Sequence, residues 1–186
     1  MSPDQHYQRD ERFLIRLTVV LGVVVLVLAL VLTTMLDRRE KRVAPEQVWP
    51  FIQEVSAEKG LDPGFVYAIA WAESSLNARA RSSVARGMMQ LTKPAWEQVS
   101  DVSYRRAWNW KTNIRVGVDY LVFCRDFLQR HDSFSYPLLA ASYRYGPNYV
   151  KRRDFDLNQL RATRNKIYQS IFAGDIRPVS PPRAAD

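Results

Sequence analysis

Twenty consecutive residues near the N terminus, Leu17 to Leu36, contain no charged side chain and consist largely of valine and leucine. At a rise of about 1.5 Å per residue, a helix of this length would reach about 30 Å, which is the thickness of the hydrocarbon core of a bilayer. A uniformly apolar helix is unusual in a soluble protein, because a surface helix must present one face to water. The sequence therefore predicts a single transmembrane helix over residues 17–36.

The flanks of this apolar segment indicate that it is retained as a signal anchor. It is longer than the apolar region of an ordinary signal peptide, and Thr33-Thr34-Met35-Leu36-Asp37 offers no small-x-small cleavage site. No cysteine near its end could carry a lipid. We expect residues 1–16 to form a cytoplasmic N-terminal segment and residues 37–45 to form a charged linker.

The rest of the chain has the pattern of a mainly α domain over residues 46–175. Apolar residues from Val48 to Val55 recur at helical spacing and end at Gly60, and Asp62-Pro63 is a helix-start signal. Further helices are predicted over residues 62–75, 93–100, 112–130, 136–145 and 157–172, and no strand pattern is evident. The lone Cys124 is interpreted as a small core residue. The proline-rich residues 176–186 are expected to be a flexible tail.

Glu73 is the candidate catalytic residue, because it lies in the apolar stretch Ala68 to Ser75. On a helix beginning near Asp62, it shares one face with Val66 and Ile69. Burial there would favour the neutral acid and raise the pKa of the carboxyl, as a proton donor requires. The alternative is an ordinary helix-end residue that reaches water or a basic partner.

The stretch Gly87-Met88-Met89-Gln90, fourteen residues after Glu73, has the composition of a binding-site wall. Glycine permits a close backbone approach, Met89 offers a flexible apolar surface, and Gln90 carries both a donor and an acceptor. Such a wall suits a sugar, whose faces are apolar and whose edges are polar.

Four short blocks lie in order between residue 46 and about residue 172: Glu73-Ser74, Gly87-Met88-Met89-Gln90, Asn113-Ile114-Arg115-Val116-Gly117 with Tyr120-Leu121, and Ala140-Ala141-Ser142-Tyr143 with Gly146-Pro147. Together they resemble the lytic transglycosylases of the soluble-lytic-transglycosylase type, which are related in fold to goose-type lysozyme. The resemblance implies a lysozyme-like helical domain. The sequence departs from the family pattern at Val84, where glycine is common, and at Arg144, where asparagine is common.

The resemblance also implies an activity and the residues that carry it. Glu73 would protonate the β-1,4 glycosidic oxygen between N-acetylmuramic acid and N-acetylglucosamine, and would then take the proton from the muramyl C6 hydroxyl, leaving a 1,6-anhydro end. Ser74 and Gln90 match cleft positions near the substrate, and Tyr143 matches a tyrosine that hydrogen-bonds the catalytic carboxyl. With Met89, these residues form the expected substrate site, and neither a metal nor a cofactor is expected.

Other functions stay open at the level of sequence. Ordinary glycoside hydrolysis uses two carboxylates, but the possible second ones, Glu97, Asp101 and Asp119, have polar neighbours. A hydrolytic lysozyme and a weakly active wall-binding scaffold of an envelope or secretion complex are the alternatives. Lys151-Arg152-Arg153 raises the possibility of nucleic-acid binding, although such runs are usually solvated helix faces, so no nucleic-acid partner is expected. Four tryptophans could stack on sugars: Trp71, Trp96, Trp108 and Trp110.

Location follows from the substrate rather than from charge. Three arginines precede the apolar segment, and four basic residues follow it closely: Arg38, Arg39, Lys41 and Arg42. The positive-inside count thus slightly favours a cytoplasmic C-terminal domain. Peptidoglycan, however, lies outside the inner membrane. We therefore expect a single-pass protein of the bacterial inner membrane with its catalytic domain in the periplasm, where the net charge of +8 would favour an anionic wall or membrane face.

Overall fold

The computed structural model describes residues 16–33 and 42–182, and the chain divides into two compact units, Met1–Arg39 and Glu40–Asp186. In the first unit, helix α1 (Arg16–Thr33) is long and apolar enough to cross a membrane by length and composition. All of its residues are exposed. The predictions for residues 1–15, for the end of the apolar segment at 34–36, for most of the linker and for residues 183–186 lie outside the described part.

The second unit is mainly helical, as predicted. Its helices are α2 (Pro45–Lys59), α3 (Pro63–Ser74), α4 (Lys93–Glu97), α5 (Trp110–Gln129), α6 (Tyr136–Tyr145), α7 (Pro147–Lys151) and α8 (Lys166–Phe172). Two short strands, β1 (Ala85–Arg86) and β2 (Leu91–Thr92), form an antiparallel hairpin between α3 and α4. The hairpin was not predicted, because two-residue strands are too short to show an alternating pattern.

Helix α3 forms the centre of the core. All seven residues from Gly64 to Ala70 are buried, and the helix packs against α2 on one side and α8 on another. The predicted boundary signals are confirmed: Gly60 ends α2 in the left-handed conformation with φ 64°, and the Asp62 carboxylate accepts a hydrogen bond of 2.9 Å from the backbone N–H of Phe65. These two caps set the position at which α3 begins, and therefore the position of the residues in its last turn.

The predicted helix over residues 157–172 is wrong in its first half. A 3-10 turn spans Leu157–Gln159, and the α-helix starts only after Asn165, whose side-chain oxygen accepts hydrogen bonds from the backbone N–H groups of Ile167 and Tyr168. Asparagine competes for backbone donors and therefore favours a helix start over a helix interior. Helix α4 also ends earlier than predicted, and a 3-10 turn over Tyr104–Trp108 precedes α5.

The described part of the C-terminal tail is attached to the domain rather than free. Ile176 and Val179 pack against the core, and the Arg177 guanidinium forms an ion pair with both carboxylate oxygens of Asp62. The expectation of a flexible tail from residue 176 is thus wrong as far as Val179. A proline-rich segment without secondary structure can still be held by single apolar and ionic anchors.

Replacing Asp62 tests how the start of α3 is held. Asp62→Ala should lower the free energy of unfolding by about 1–2 kcal/mol, because α3 loses its N-cap acceptor. Asp62→Asn keeps an acceptor and loses only the ion pair with Arg177, which is 65% exposed, so its cost should be about 0–1 kcal/mol. Thermal unfolding of the full chain in detergent, followed by near-ultraviolet circular dichroism, measures both. Equal losses would contradict a capping role.

Candidate active site

Glu73 lies in the last turn of α3, with its side chain 15% exposed. Its Oε1 atom accepts a hydrogen bond of 2.5 Å from the hydroxyl of Tyr168 on α8 and lies 3.7 Å from Nη1 of Arg144 on α6. Burial raises the pKa of Glu73, whereas the Tyr168 hydrogen bond and the Arg144 charge lower it, and the net result is a pKa above the usual 4.5. A raised pKa favours the neutral form of the carboxyl group, which is the form that a proton donor requires.

Asn165 connects the end of α3 to the start of α8. Its side-chain nitrogen donates a 2.9 Å hydrogen bond to the carbonyl of Ala72, which is one of the free carbonyls at the end of α3. Its side-chain oxygen caps α8, as described above. One asparagine therefore satisfies a carbonyl at the end of α3 and caps the start of α8, and this arrangement brings the buried Tyr168 to Glu73.

The turn Gly87–Gln90 is held by side chains from three helices. Ser74 of α3 donates a 2.7 Å hydrogen bond to the carbonyl of Met88. The buried Asn113 of α5 accepts from the backbone N–H of Met89 at 2.7 Å and donates to the carbonyl of Arg86 at 3.2 Å. The hydroxyl of Tyr143 on α6 donates to the carbonyl of Met89 at 2.7 Å. Because buried backbone groups need partners, these contacts fix the turn beside the end of α3.

Two glycines allow the turn to lie this close to α5. Gly87 has φ 81°, and a Cβ atom there would lie only 2.3 Å from the carbonyl oxygen of Ala107 and from Nδ2 of Asn113. A Cβ atom on Gly117 would lie 2.8 Å from Cγ of Met89. Any larger side chain at either position would push the turn away from the helix.

The predicted site residues have different surroundings from those expected. Tyr143 was expected to hydrogen-bond the carboxyl of Glu73, but its hydroxyl binds the turn, and Tyr168 makes the contact with Glu73 instead. Met89 was expected to be a flexible apolar wall of the substrate site, but it is fully buried, so its side chain belongs to the core. Gln90 is half-buried, with φ 47° and its side-chain amide donating to the carbonyl of Gly87.

Sequence reasoning missed Tyr168, Asn165 and the contact made by Arg144. Tyr168 was placed inside a long predicted helix, where its distance of 95 residues from Glu73 gave no hint of contact. A signal was present in Asn165, because an N-cap residue three positions before a tyrosine marks that tyrosine as part of a first helical turn.

Other candidate residues lie in settings typical of surface or core. Glu97 forms an exposed ion pair with Lys93 and Asp119 forms one with Lys59, whereas Trp96 is fully buried. The other candidate tryptophans, Trp71, Trp108 and Trp110, are half-buried. A surface groove of about 710 Å³ is lined by residues 81–86, 93, 97 and 100–105, but not by Glu73. Across residues 16–33 and 42–182, no group of three or more His, Cys, Asp or Glu is placed to hold a metal ion.

Comparison with known proteins gives the family. The family described as "Transglycosylase SLT domain" matches residues 50–166, which is more than half of the chain. The chain belongs to this family. The SLT domain therefore includes α3, the turn Gly87–Gln90, α5 and α6, together with Glu73.

A solved structure supports the fold of the SLT domain. An inactive mutant of the lytic transglycosylase Slt from Pseudomonas aeruginosa, with glutamine in place of a glutamate, matches with a TM-score of 0.50 and 23% sequence identity. The match covers 69% of this chain but 21% of that chain. This chain thus corresponds to about a fifth of that protein. No curated protein sequence matches the chain.

Substitution of Gly87 tests the close packing of the turn. Gly60 is the control, because it also has positive φ but a Cβ atom there would meet only Nη1 of Arg125, at 4.0 Å. Gly60→Ala should lower the free energy of unfolding by about 1–2 kcal/mol through backbone strain alone. Gly87→Ala adds a collision with buried backbone and should cost more. Thermal unfolding of both variants measures the difference, and equal losses would show that the turn has room to move.

Proposed function

We propose that the SLT domain is a peptidoglycan lytic transglycosylase in which Glu73 serves as both acid and base. The observation that carries the proposal is a partly exposed carboxyl group with a raised pKa, held by Tyr168 and Arg144 at the end of a buried helix. Family membership supports the same activity. Further support comes from the structural neighbour, a lytic transglycosylase whose inactive form carries a glutamate-to-glutamine substitution.

In the proposed reaction, protonated Glu73 donates its proton to the glycosidic oxygen between N-acetylmuramic acid and N-acetylglucosamine. The bond from muramyl C1 to that oxygen breaks, and N-acetylglucosamine leaves with a hydroxyl group. The Glu73 carboxylate then removes the proton from the muramyl C6 hydroxyl, whose oxygen bonds to C1. Glu73 is protonated again, and the product is a 1,6-anhydro ring. Attack within one sugar gains its advantage from proximity, so no second carboxylate has to activate water.

The remaining site residues are proposed to act at two levels. Gln90 is half-buried and carries a donor and an acceptor, so we assign to it hydrogen bonds with the acetamido groups of the glycan. The turn that presents Gln90 is supported by three residues. Ser74 and Tyr143 donate hydrogen bonds to its backbone carbonyls, and the buried side chain of Met89 packs it against the core.

We further propose that α1 anchors the protein in the inner membrane with the SLT domain in the periplasm. Helix α1 has 18 residues, most of them apolar and all of them exposed, and such a helix would be stable in a bilayer and unstable in water. Peptidoglycan strands are then the partner of the SLT domain. The exposed Lys151 and Arg152 are ordinary solvated residues at the end of α7, so nucleic acid is not proposed as a partner.

Digestion of purified peptidoglycan tests the activity. The full chain in detergent should release muropeptides with anhydro ends, and Glu73→Gln should lower the rate by about 10²–10⁴-fold, the usual effect of losing a general acid and base. Glu97→Gln is the matched control and should leave the rate unchanged, since Glu97 is paired with Lys93 on the surface.

The masses of the products separate the alternatives. Ends that are heavier by one water would indicate a lysozyme rather than a transglycosylase. An absence of cleavage by the wild-type chain would indicate a wall-binding scaffold and would refute the proposal.

Reporter fusions test the orientation. An enzyme that becomes active only in the periplasm, fused after Asp186, should be active in cells, and a reporter that is active only in the cytoplasm should be inactive at the same position. The reverse pattern would mean that the basic residues following the apolar segment determine the topology and that the proposed substrate is out of reach.

A further inference from the structure

Arg144 and Tyr168 both act on the same oxygen of the catalytic carboxyl. The Tyr168 hydroxyl and Nη1 of Arg144 approach Oε1 of Glu73 at 2.5 Å and 3.7 Å. Among the residues that the structure describes, no hydrogen bond or ion pair is made to Oε2. The two oxygens of one carboxyl group therefore differ sharply in their surroundings.

The guanidinium of Arg144 is itself held by aromatic rings. It lies 4.5 Å from the ring centre of Tyr168 and 5.7 Å from that of Tyr145, and its side chain is 29% exposed. A cation over an aromatic face is attracted by the ring electrons and loses freedom to swing into solvent. The tyrosine that donates to Glu73 is thus also the surface on which Arg144 rests.

We propose that Arg144 is a positioning residue that, together with Tyr168, occupies Oε1 of Glu73 and so directs the transferable proton to Oε2. This inference rests on the acid role proposed for Glu73. An oxygen that already accepts a hydrogen bond and faces a cation is a poor site for a proton, so the neutral acid carries its hydrogen on the other oxygen. That oxygen is the one left for the glycosidic bond.

The charge of Arg144 matters most after the proton has left. Glu73 then carries a negative charge in a poorly hydrated position, and the nearby guanidinium stabilises it. The same cation would oppose positive charge developing at muramyl C1 if it stood alone. Once Glu73 has lost its proton, its carboxylate balances the charge of the Arg144 guanidinium. The pair then places no net positive charge next to the sugar.

Few other groups can contribute to this balance. Among residues 16–33 and 42–182, the titratable and charged groups that face Glu73 are Tyr143 and Arg144 from α6 and Tyr168 from α8. Helix α2, which also packs on α3, brings Glu46 to Tyr67 instead. Burial raises the pKa of Tyr143 and of Tyr168 well above 10, so both stay neutral. Removal of the Arg144 charge therefore leaves burial less opposed and must raise the pKa of Glu73.

The test compares Arg144→Gln with Arg144→Lys in the full chain in detergent. Arg144→Met is a second neutral variant that keeps an apolar stem on Tyr168, in case the glutamine variant does not fold. Arg153→Gln is the control, because Arg153 also lies over a tyrosine, at 3.5 Å from the ring centre of Tyr149, and donates to the carbonyl of that residue. Carbon-13 NMR titration of the Glu73 carboxyl, assigned by its loss in Glu73→Gln, reports the pKa without requiring activity.

The neutral variants should raise the pKa of Glu73, and the lysine variant should restore it at least in part. In the pH profile of kcat/KM for peptidoglycan, the rate falls as Glu73 loses its proton, so this fall should move to higher pH in Arg144→Gln and Arg144→Met. Their maximal kcat should decrease, because the ionised product of proton transfer is less stabilised. Arg153→Gln should match the wild type in both measurements.

An unchanged titration of Glu73 in both neutral variants would overturn the inference, even if the enzyme cleaves peptidoglycan. A shifted titration together with full activity of Glu73→Gln would support the pairing while refuting the proposed function. The two proposals can therefore fail separately.

Discussion

A carboxyl group that is mostly removed from water is unstable in its ionised form unless nearby groups offset the lost hydration. The SLT domain holds such a group in Glu73, at the end of its most buried helix. Burial is the largest influence on the pKa of this residue, and the two contacts to Oε1 oppose it without cancelling it. The pKa of Glu73 therefore depends on the positions of α6 and α8. A small movement of either helix would change the distance from Arg144 or Tyr168 to Oε1 of Glu73.

The turn Gly87–Gln90 is fixed by a different kind of constraint. Its backbone groups are satisfied by Ser74, Asn113 and Tyr143, and each of these residues comes from a different helix. A turn anchored at three points cannot follow the movement of one helix alone. Ser74 is also the residue after Glu73, so Glu73 lies next in the sequence to a residue that binds the turn. The geometry between the acid and the turn is therefore set by covalent neighbours and hydrogen bonds, rather than by a flexible loop.

Features determined by local chemistry could be predicted from sequence. The Asp62 cap, the Gly60 end of α2, the mainly α fold and the burial of Glu73 on an apolar face all follow from spacing within a few turns. Features that depend on distant partners could not. Tyr168 and Tyr143 are both buried tyrosines, and only the packing of α6 and α8 decides which of them reaches the carboxyl. The side chain of Met89 is of a type that often lines binding sites. Here Gly117 lets α5 approach it closely, and the side chain is buried in the core.

The two departures from the family pattern differ in consequence. Val84 stands where glycine is common, yet it needs no left-handed backbone: its φ is not positive, its side chain is 67% exposed, and Ser82 accepts hydrogen bonds from the N–H groups of Val84 and Ala85. The serine closes the turn that glycine would otherwise allow. The departure at Arg144 does change the site, because it places a positive charge 3.7 Å from Oε1 of Glu73. An asparagine could offer a hydrogen bond there but no charge. Arg144 stacks on Tyr168, and this contact keeps its charge beside Glu73. Arg144 and Tyr168 therefore act together on the Glu73 carboxyl group.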